Sequence, residues 1–146
     1  MSDIELIRGD SYAVRRPLFT HTFSEVDEDG VVIGAFDLTG CTVRSTFKTV
    51  PTDSTSDTTD TTAVIKATLI VDGTGTATTQ TKMYLVGAAT DGVCELRLSA
   101  TDTGAMITDT DFFSDVELTD ANGEVITFVQ PESIRVTEAY TNRTTG

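Results

Sequence analysis

Alternation of apolar and polar side chains between Phe112 and Val136 constrains the fold of this chain more than any other sequence feature. Val116 and Leu118 share one parity while Glu117 lies between them, as in a strand that is wetted on one face. The following Asp120-Ala121-Asn122-Gly123 favours a tight turn, because Gly accepts a positive φ and Asp and Asn bond their own backbone. The pattern predicts an antiparallel hairpin that needs a second layer to cover it.

The return arm of this hairpin is predicted in two parts. Glu124 to Val129 is typical of a strand, and Ser133 to Thr137 resumes the extended pattern. Pro131 lies between them and has no amide hydrogen to donate to a ladder. We therefore expect the strand pairing to be interrupted at this proline.

Other strand-like stretches are separated by turn signals rich in Asp and Gly, and 31–36 is predicted as a hairpin partner across the turn 27–30. Alternation predicts inward and outward positions for two strands: Cys41, Val43 and Phe47 inward and Lys48 outward, and Cys94, Leu96 and Leu98 inward and Glu95 outward. No stretch shows sustained helical periodicity, and residues 101–106 are typical of a loop or a single helical turn. About eight to ten strands at this spacing indicate an all-β sandwich or barrel. The remaining predicted strands are 4–7, 11–23 with a break at Pro17, 31–36, 41–48, 63–71, 76–85 and 93–99, and the predicted turns are 9–10, 27–30, 37–40, 72–75 and 91–92.

The length and the net charge of the chain limit the functions and partners that we expect. The 146 residues, predicted to form one domain over 1–146, carry 10 Lys plus Arg against 23 Asp plus Glu, for a formal net charge of -13. This charge repels polyanions, so nucleic acid and anionic membranes are not expected partners. No apolar run is long enough to span a membrane, and the first residues lack a secretion signal. We expect a soluble chain made in a cytoplasm.

Two further stretches carry structural expectations. Residues 50–62 are rich in Thr, Ser and Asp and offer nothing to bury, which predicts a flexible surface loop. Cys41 and Cys94 lie on the apolar parity of two predicted strands. A disulfide between facing sheets and a pair of buried free thiols both fit this placement, and the thiols are favoured for a chain made in a cytoplasm.

No motif in the sequence indicates a catalytic or cofactor-binding residue. His21 has no nucleophile motif around it, so a surface histidine is favoured over a catalytic triad. The acidic runs 27–29 and Asp109, Asp111 and Asp115 could offer oxygen ligands to Ca²⁺, but they lack the spacing of a calcium loop, and solvated acid is favoured. A glycosidase would need aromatic side chains to bind a sugar, and the chain has no Trp. We expect a non-enzymatic protein with no cofactor and no metal.

Three motifs in a fixed order give a resemblance over residues 7–141. In this order they resemble the N-terminal domain of the baseplate upper protein family of tailed bacteriophages. The resemblance implies an immunoglobulin-like antiparallel β-sandwich with Greek-key-type connections that helps to build a virion. The motifs are Ile-Arg-Gly-Asp-Ser at 7–11, Phe-Asp-Leu-Thr-Gly-Cys-Thr-Val-Arg at 36–44, and Phe-Ser-Asp-Val-Glu-Leu-Thr-Asp-Ala-Asn-Gly-Glu-Val at 113–125 followed by Ser-Ile-Arg-Val-Thr-Glu at 133–138.

The leading hypothesis is a multi-copy structural protein of a virion, located in the tail or baseplate and bound to other virion proteins and to copies of itself. Decoration of the head or a place in the neck is the alternative within the same particle. A carbohydrate- or cell-surface-binding module is the second alternative, and it would need an aromatic platform built from Tyr12, Tyr84 and Tyr140.

Two segments are candidate protein interfaces. Ile4, Leu6 and Ile7 could add a strand to a neighbouring sheet, and the plain alternative is an ordinary core strand. Thr55 and Asp57 lie in the loop 50–62, which a partner could order, and the plain alternative there is disorder.

Overall fold

The computed structural model describes residues 4–48, 64–106 and 111–137. The described chain consists mostly of strands joined by turns, which confirms the predicted all-β class. Helix is limited to a 3-10 helix at Ala89–Asp91 and to α1 at Ala100–Gly104, where a loop or one helical turn was predicted. The strands are β1 (Ile4–Ile7), β2 (Phe19–Thr22), β3 (Ser24–Val26), β4 (Val32–Ala35), β5 (Thr42–Lys48), β6 (Ile65–Val71), β7 (Ala77–Thr81), β8 (Met83–Val86), β9 (Val93–Leu96), β10 (Asp111–Thr119) and β11 (Val125–Thr137).

These strands form a large sheet, a small sheet and a separate hairpin. The large sheet has the order β1-β11-β10-β5-β6-β7, and the small sheet has the order β2-β9-β8. Strands β3 and β4 pair only with each other among the described residues. The pairing of β1 with β11 is parallel, and the other strand pairs are antiparallel. The predominantly antiparallel pairing suits consecutive strands joined by short turns.

The predicted hairpin of β10 and β11 is confirmed. The Asp120 amide donates to the Glu124 carbonyl at 2.9 Å, and the Gly123 amide donates to the Asp120 carbonyl at 3.0 Å. The Asp120 carboxylate also accepts the amides of Asn122 and Glu124, each at 2.9 Å. The side chain of Asp120 therefore satisfies the backbone of the turn, as its sequence predicted.

The predicted interruption of pairing at Pro131 is confirmed, but the two predicted parts of the return arm form one continuous strand, β11. Ser114 pairs with Glu132 and Val116 pairs with Val129, so Gln130 and Pro131 both fall opposite Asp115. This extra residue is a bulge, where a ladder tolerates a missing amide donor. Within the described residues, β1 pairs with β11 from Ile134 onward, so no described residue of β1 lies opposite the proline.

The weak alternation predicted as one strand over 76–85 is two strands in two sheets. Strand β7 ends the large sheet, and β8 begins in the small sheet after Lys82, whose φ is 64°. A left-handed backbone at a non-glycine residue changes the chain direction abruptly. The two halves therefore belong to different sheets, so a single period of alternating side chains is not expected to extend through 76–85.

The core lies between the large and the small sheet as one cluster of buried apolar side chains. Alternate residues of β6 are buried, and the inward positions predicted for β5 and β9 are confirmed. Lys48 is an exception, because it was predicted on the wet face and is only 5% exposed. The cluster includes Val43 and Phe47 from β5, Leu69 and Val71 from β6, Met83 from β8, Cys94 and Leu96 from β9, Phe112, Val116 and Leu118 from β10, and Ile134 and Val136 from β11.

Candidate functional site

The β1 edge, predicted to accept a neighbouring strand, pairs with the chain's own β11. Leu6 is completely buried in the core, so its side chain is not available to a partner. The Ile7 amide donates to the Tyr12 hydroxyl at 2.8 Å, which occupies this end of the outer edge of β1. A strand could be added only beside the short stretch that precedes Ile7. Thr55 and Asp57, the other predicted interface residues, lie outside the described residues.

The hairpin of β3 and β4 is an exposed apolar surface that sequence reasoning missed. All four residues of β4 are exposed, and so are Glu25 and Val26 of β3. Val26, Val31, Val32 and Ile33 are 52 to 64% exposed. The strand 31–36 was predicted as a hairpin partner, but its exposure was not predicted. The available signal was the run of three consecutive apolar residues at 31–33, which does not alternate as a half-buried strand would.

The base of this hairpin is fixed to the body by backbone hydrogen bonds. The Phe23 amide donates to the Gly92 carbonyl at 2.7 Å, and the Phe36 amide donates to the Phe23 carbonyl at 3.0 Å. Phe23 is completely buried, and Phe36 packs against the core. Leu38, which follows the hairpin, is also bound to the body, because its amide donates to the Ala89 carbonyl at 3.0 Å. The hairpin therefore begins and ends at well-anchored residues.

The tip of the hairpin is acidic, with Asp27, Glu28 and Asp29 all exposed. The Asp27 carboxylate accepts the amide of Asp29 at 2.9 Å and that of Val31 at 3.0 Å, so it serves the turn. Within residues 4–48, 64–106 and 111–137, no group of three or more His, Cys, Asp or Glu side chains is arranged to hold a metal ion. Asp109, from the other acidic run, lies outside these ranges.

A basic segment lies at the opposite end of β2 from the hairpin. Val14 is 68% exposed, and Arg15 beside it is also exposed. The Arg16 guanidinium lies 4.6 Å from the centre of the Tyr12 ring and donates to the Asp10 carboxylate at 3.0 Å. An arginine stacked and bonded in this way loses little side-chain entropy when a further ligand binds beside it.

The small sheet carries a polar cluster of Tyr84, Glu95 and Arg97. Arg97 donates to the Glu95 carboxylate at 2.9 Å, and its guanidinium lies 4.1 Å from the centre of the Tyr84 ring. This contact explains why Glu95, predicted to face outward, is only 7% exposed. Arg97 covers a face of the Tyr84 ring, Tyr12 is buried, and Tyr140 lies outside the described residues. The aromatic platform of a sugar-binding module is therefore not assembled from the two described tyrosines.

His21 and Cys94 are brought opposite each other by the pairing of β2 with β9. A Cys–His pair can be catalytic when the thiol pKa is depressed. Here burial, with a contribution from the Glu95 charge, raises the pKa of Cys94 to about 12. Burial also lowers the pKa of His21, whose ring packs edge-on against Phe23 at 4.5 Å. Cys94 therefore belongs to the buried core, and His21, predicted at the surface, is half-buried beside Phe23. The raised pKa of Cys94 disfavours the thiolate that nucleophilic chemistry requires.

Both cysteines are free and buried, as predicted, and we expect neither thiol to react in the folded protein. Burial is the largest cause that raises the pKa of Cys41, and the charges of Asp120 and Asp37 add to it. Labelling with a thiol-specific reagent near neutral pH should modify both residues in denaturant and neither under native conditions. Cys41→Ala isolates the Cys94 signal. Rapid labelling of Cys94 in this folded variant would contradict the structure.

We expect the unfolding free energy to fall as the pH decreases through the ordinary histidine pKa of 6.5. Because burial lowers the folded-state pKa of His21, the unfolded chain binds its proton first and acid favours unfolding. The loss levels off below the folded-state pKa. His21 is the only histidine, so urea unfolding of wild type and His21→Gln at about pH 7.5 and about pH 5.5 isolates its contribution. An equal pH dependence in both proteins would exclude this role.

No helix within the described residues is long and apolar enough to cross a membrane. Neither the family models nor the curated proteins nor the solved structures include a match to this chain.

Proposed function

We propose that the chain is a non-enzymatic structural protein of a tailed-virus virion, present in several copies in the tail or baseplate. The observation that carries this proposal is the apolar hairpin of β3 and β4, which is exposed and pairs with no third strand among the described residues. A contiguous exposed apolar surface marks a protein contact in many soluble proteins. An exposed apolar strand pair is a feature expected of a protein that assembles with other proteins, rather than of an enzyme that acts on a small substrate.

The proposal that the assembly is a tailed-virus virion rests on the sequence resemblance. The motifs at 36–44 and 113–125 fall on β5, β10 and the turns that flank them, which are central parts of the large sheet. We assign the body to the immunoglobulin-like sandwiches on the same resemblance. The enclosed core between a large and a small sheet of mainly antiparallel strands is compatible with that class.

Decoration of the head or a place in the neck uses the same surfaces, and fold alone does not decide among these positions. Quantitative mass spectrometry of gradient-purified particles, followed by separation of heads from tails, tests the proposal. We expect the chain at a fixed, multi-copy ratio in the tail fraction. Recovery with heads would favour the alternative location, and absence from intact particles would refute a virion role.

A further inference from the structure

We propose that the β3–β4 hairpin of one copy docks on the basic segment 13–16 of a second copy, so that copies join head to tail. This inference extends the multi-copy role to named surfaces. It concerns self-association in solution, which can succeed or fail separately from the presence of the chain in particles.

The hairpin is the donor surface because it is unstable as an isolated element. Two strands without a third strand or a packed face are marginally stable in water. Val26 pairs directly with Val32, so two exposed β-branched side chains lie side by side on the ribbon. The irregularity in the register beside this pair leaves Ile33 as the extra residue. Covering these three side chains removes apolar surface from water and stabilises the hairpin itself.

The charge of the hairpin tip specifies the acceptor. Asp27, Glu28 and Asp29 make the tip strongly negative, so a partner surface needs positive charge beside an apolar contact. The segment 13–16 provides both features, because Arg15 is exposed and adjoins Val14, which is 68% exposed. In a chain with 10 basic residues and a net charge of -13, two adjacent arginines are a local exception.

The hairpin and the basic segment of one molecule lie too far apart to contact each other. The basic segment precedes β2, and the hairpin begins directly after Phe23, so the surfaces lie at opposite ends of this strand. Strand β2 has four residues, which span about 13 Å. Because the two surfaces are separate, the contact in this proposal is heterologous, with each copy offering its hairpin to the next copy. Such contacts produce rings when they close and filaments when they do not.

Sedimentation velocity of the full chain over a range of concentrations tests this inference. We expect wild type to form species larger than dimers as concentration rises. Ile33→Asp and Arg15→Glu should each weaken association by about tenfold or more, because each removes one side of the contact. Val125→Asp and Lys66→Glu are matched controls at exposed positions elsewhere, and they should associate as wild type does.

Mixing the two interface variants tests the head-to-tail contact more specifically than either variant alone. Ile33→Asp keeps an intact basic segment and Arg15→Glu keeps an intact hairpin, so the mixture should form a dimer that cannot grow further. Glu28→Arg should also weaken association, and combining it with Arg15→Glu should restore part of it by exchanging the charges. Circular dichroism confirms that each variant is folded.

Three results would overturn the inference. Wild type that remains monomeric at all concentrations would show that the hairpin does not bind a second copy. Association that is unaffected by Arg15→Glu would place the acceptor elsewhere. A mixture of the two variants that forms no dimer would exclude a head-to-tail contact.

Discussion

Gly92→Ala should destabilise the fold by about 3 kcal/mol or more, through a left-handed backbone and a direct backbone clash. Gly92 has a φ of 69° after the 3-10 helix. A β-carbon there would lie 2.6 Å from the Phe36 carbonyl oxygen and 2.8 Å from that of Phe23. These groups cannot move apart without breaking the hydrogen bonds at the hairpin base, since the Phe36 amide donates to Phe23. Urea unfolding measures the loss.

Gly73→Ala is the matched control for this substitution. A β-carbon on Gly73 has no heavy atom within 4 Å, and its backbone is outside the left-handed region. Its effect should stay within about 0.5 kcal/mol, as for most surface substitutions. Equal stability of Gly92→Ala and wild type would mean that the hairpin base is not packed as described.

Phe47→Ala should cost about 3 to 5 kcal/mol, because it leaves a cavity where a fully buried aromatic ring fills the core. Strand β5 lies between β10 and β6, so the cavity forms in the middle of the large sheet. Chemical denaturation measures the change, which is a large part of the total stability expected for a domain of this size. Soluble expression should also fall.

Arg44→Ala tests the opposite face of the same strand. Arg44 is exposed, so its truncation should change the unfolding free energy by less than about 1 kcal/mol. A similar loss in the two variants would mean that β5 is covered equally on both faces. That outcome would contradict the one-sided burial on which the two-layered body depends.

Local strand patterns could be predicted because each depends on near neighbours. The turn at 120–123 uses a carboxylate that bonds amides two and four residues onward, so its geometry is encoded within five residues. The inward positions Val43 and Phe47 follow from alternation along a single strand. Such features need no knowledge of which strand lies alongside.

The missed features depend on contacts between distant parts of the chain. The burial of Glu95 follows from Arg97 lying across Tyr84 on a neighbouring strand, which no local period reports. The continuation of β11 through Pro131 depends on a bulge opposite Asp115. The exposure of the β3–β4 hairpin depends on how the rest of the chain packs, and among the described residues no third strand pairs with it. The candidate residues Thr55 and Asp57 remain predictions.

Hydrogen exchange of residues 24–35 is the most direct test of the central claim. That claim is that the two sheets are stable by themselves, whereas the β3–β4 hairpin becomes stable when a second copy binds it. In the Ile33→Asp monomer, amides of β3 and β4 should exchange far faster than those of β5 and β10, because no third strand in the described part of the chain pairs with the ribbon. In assembled wild type, the hairpin should become protected while β5 stays unchanged. Hairpin amides as slow as those of β5 in the monomer would contradict the account.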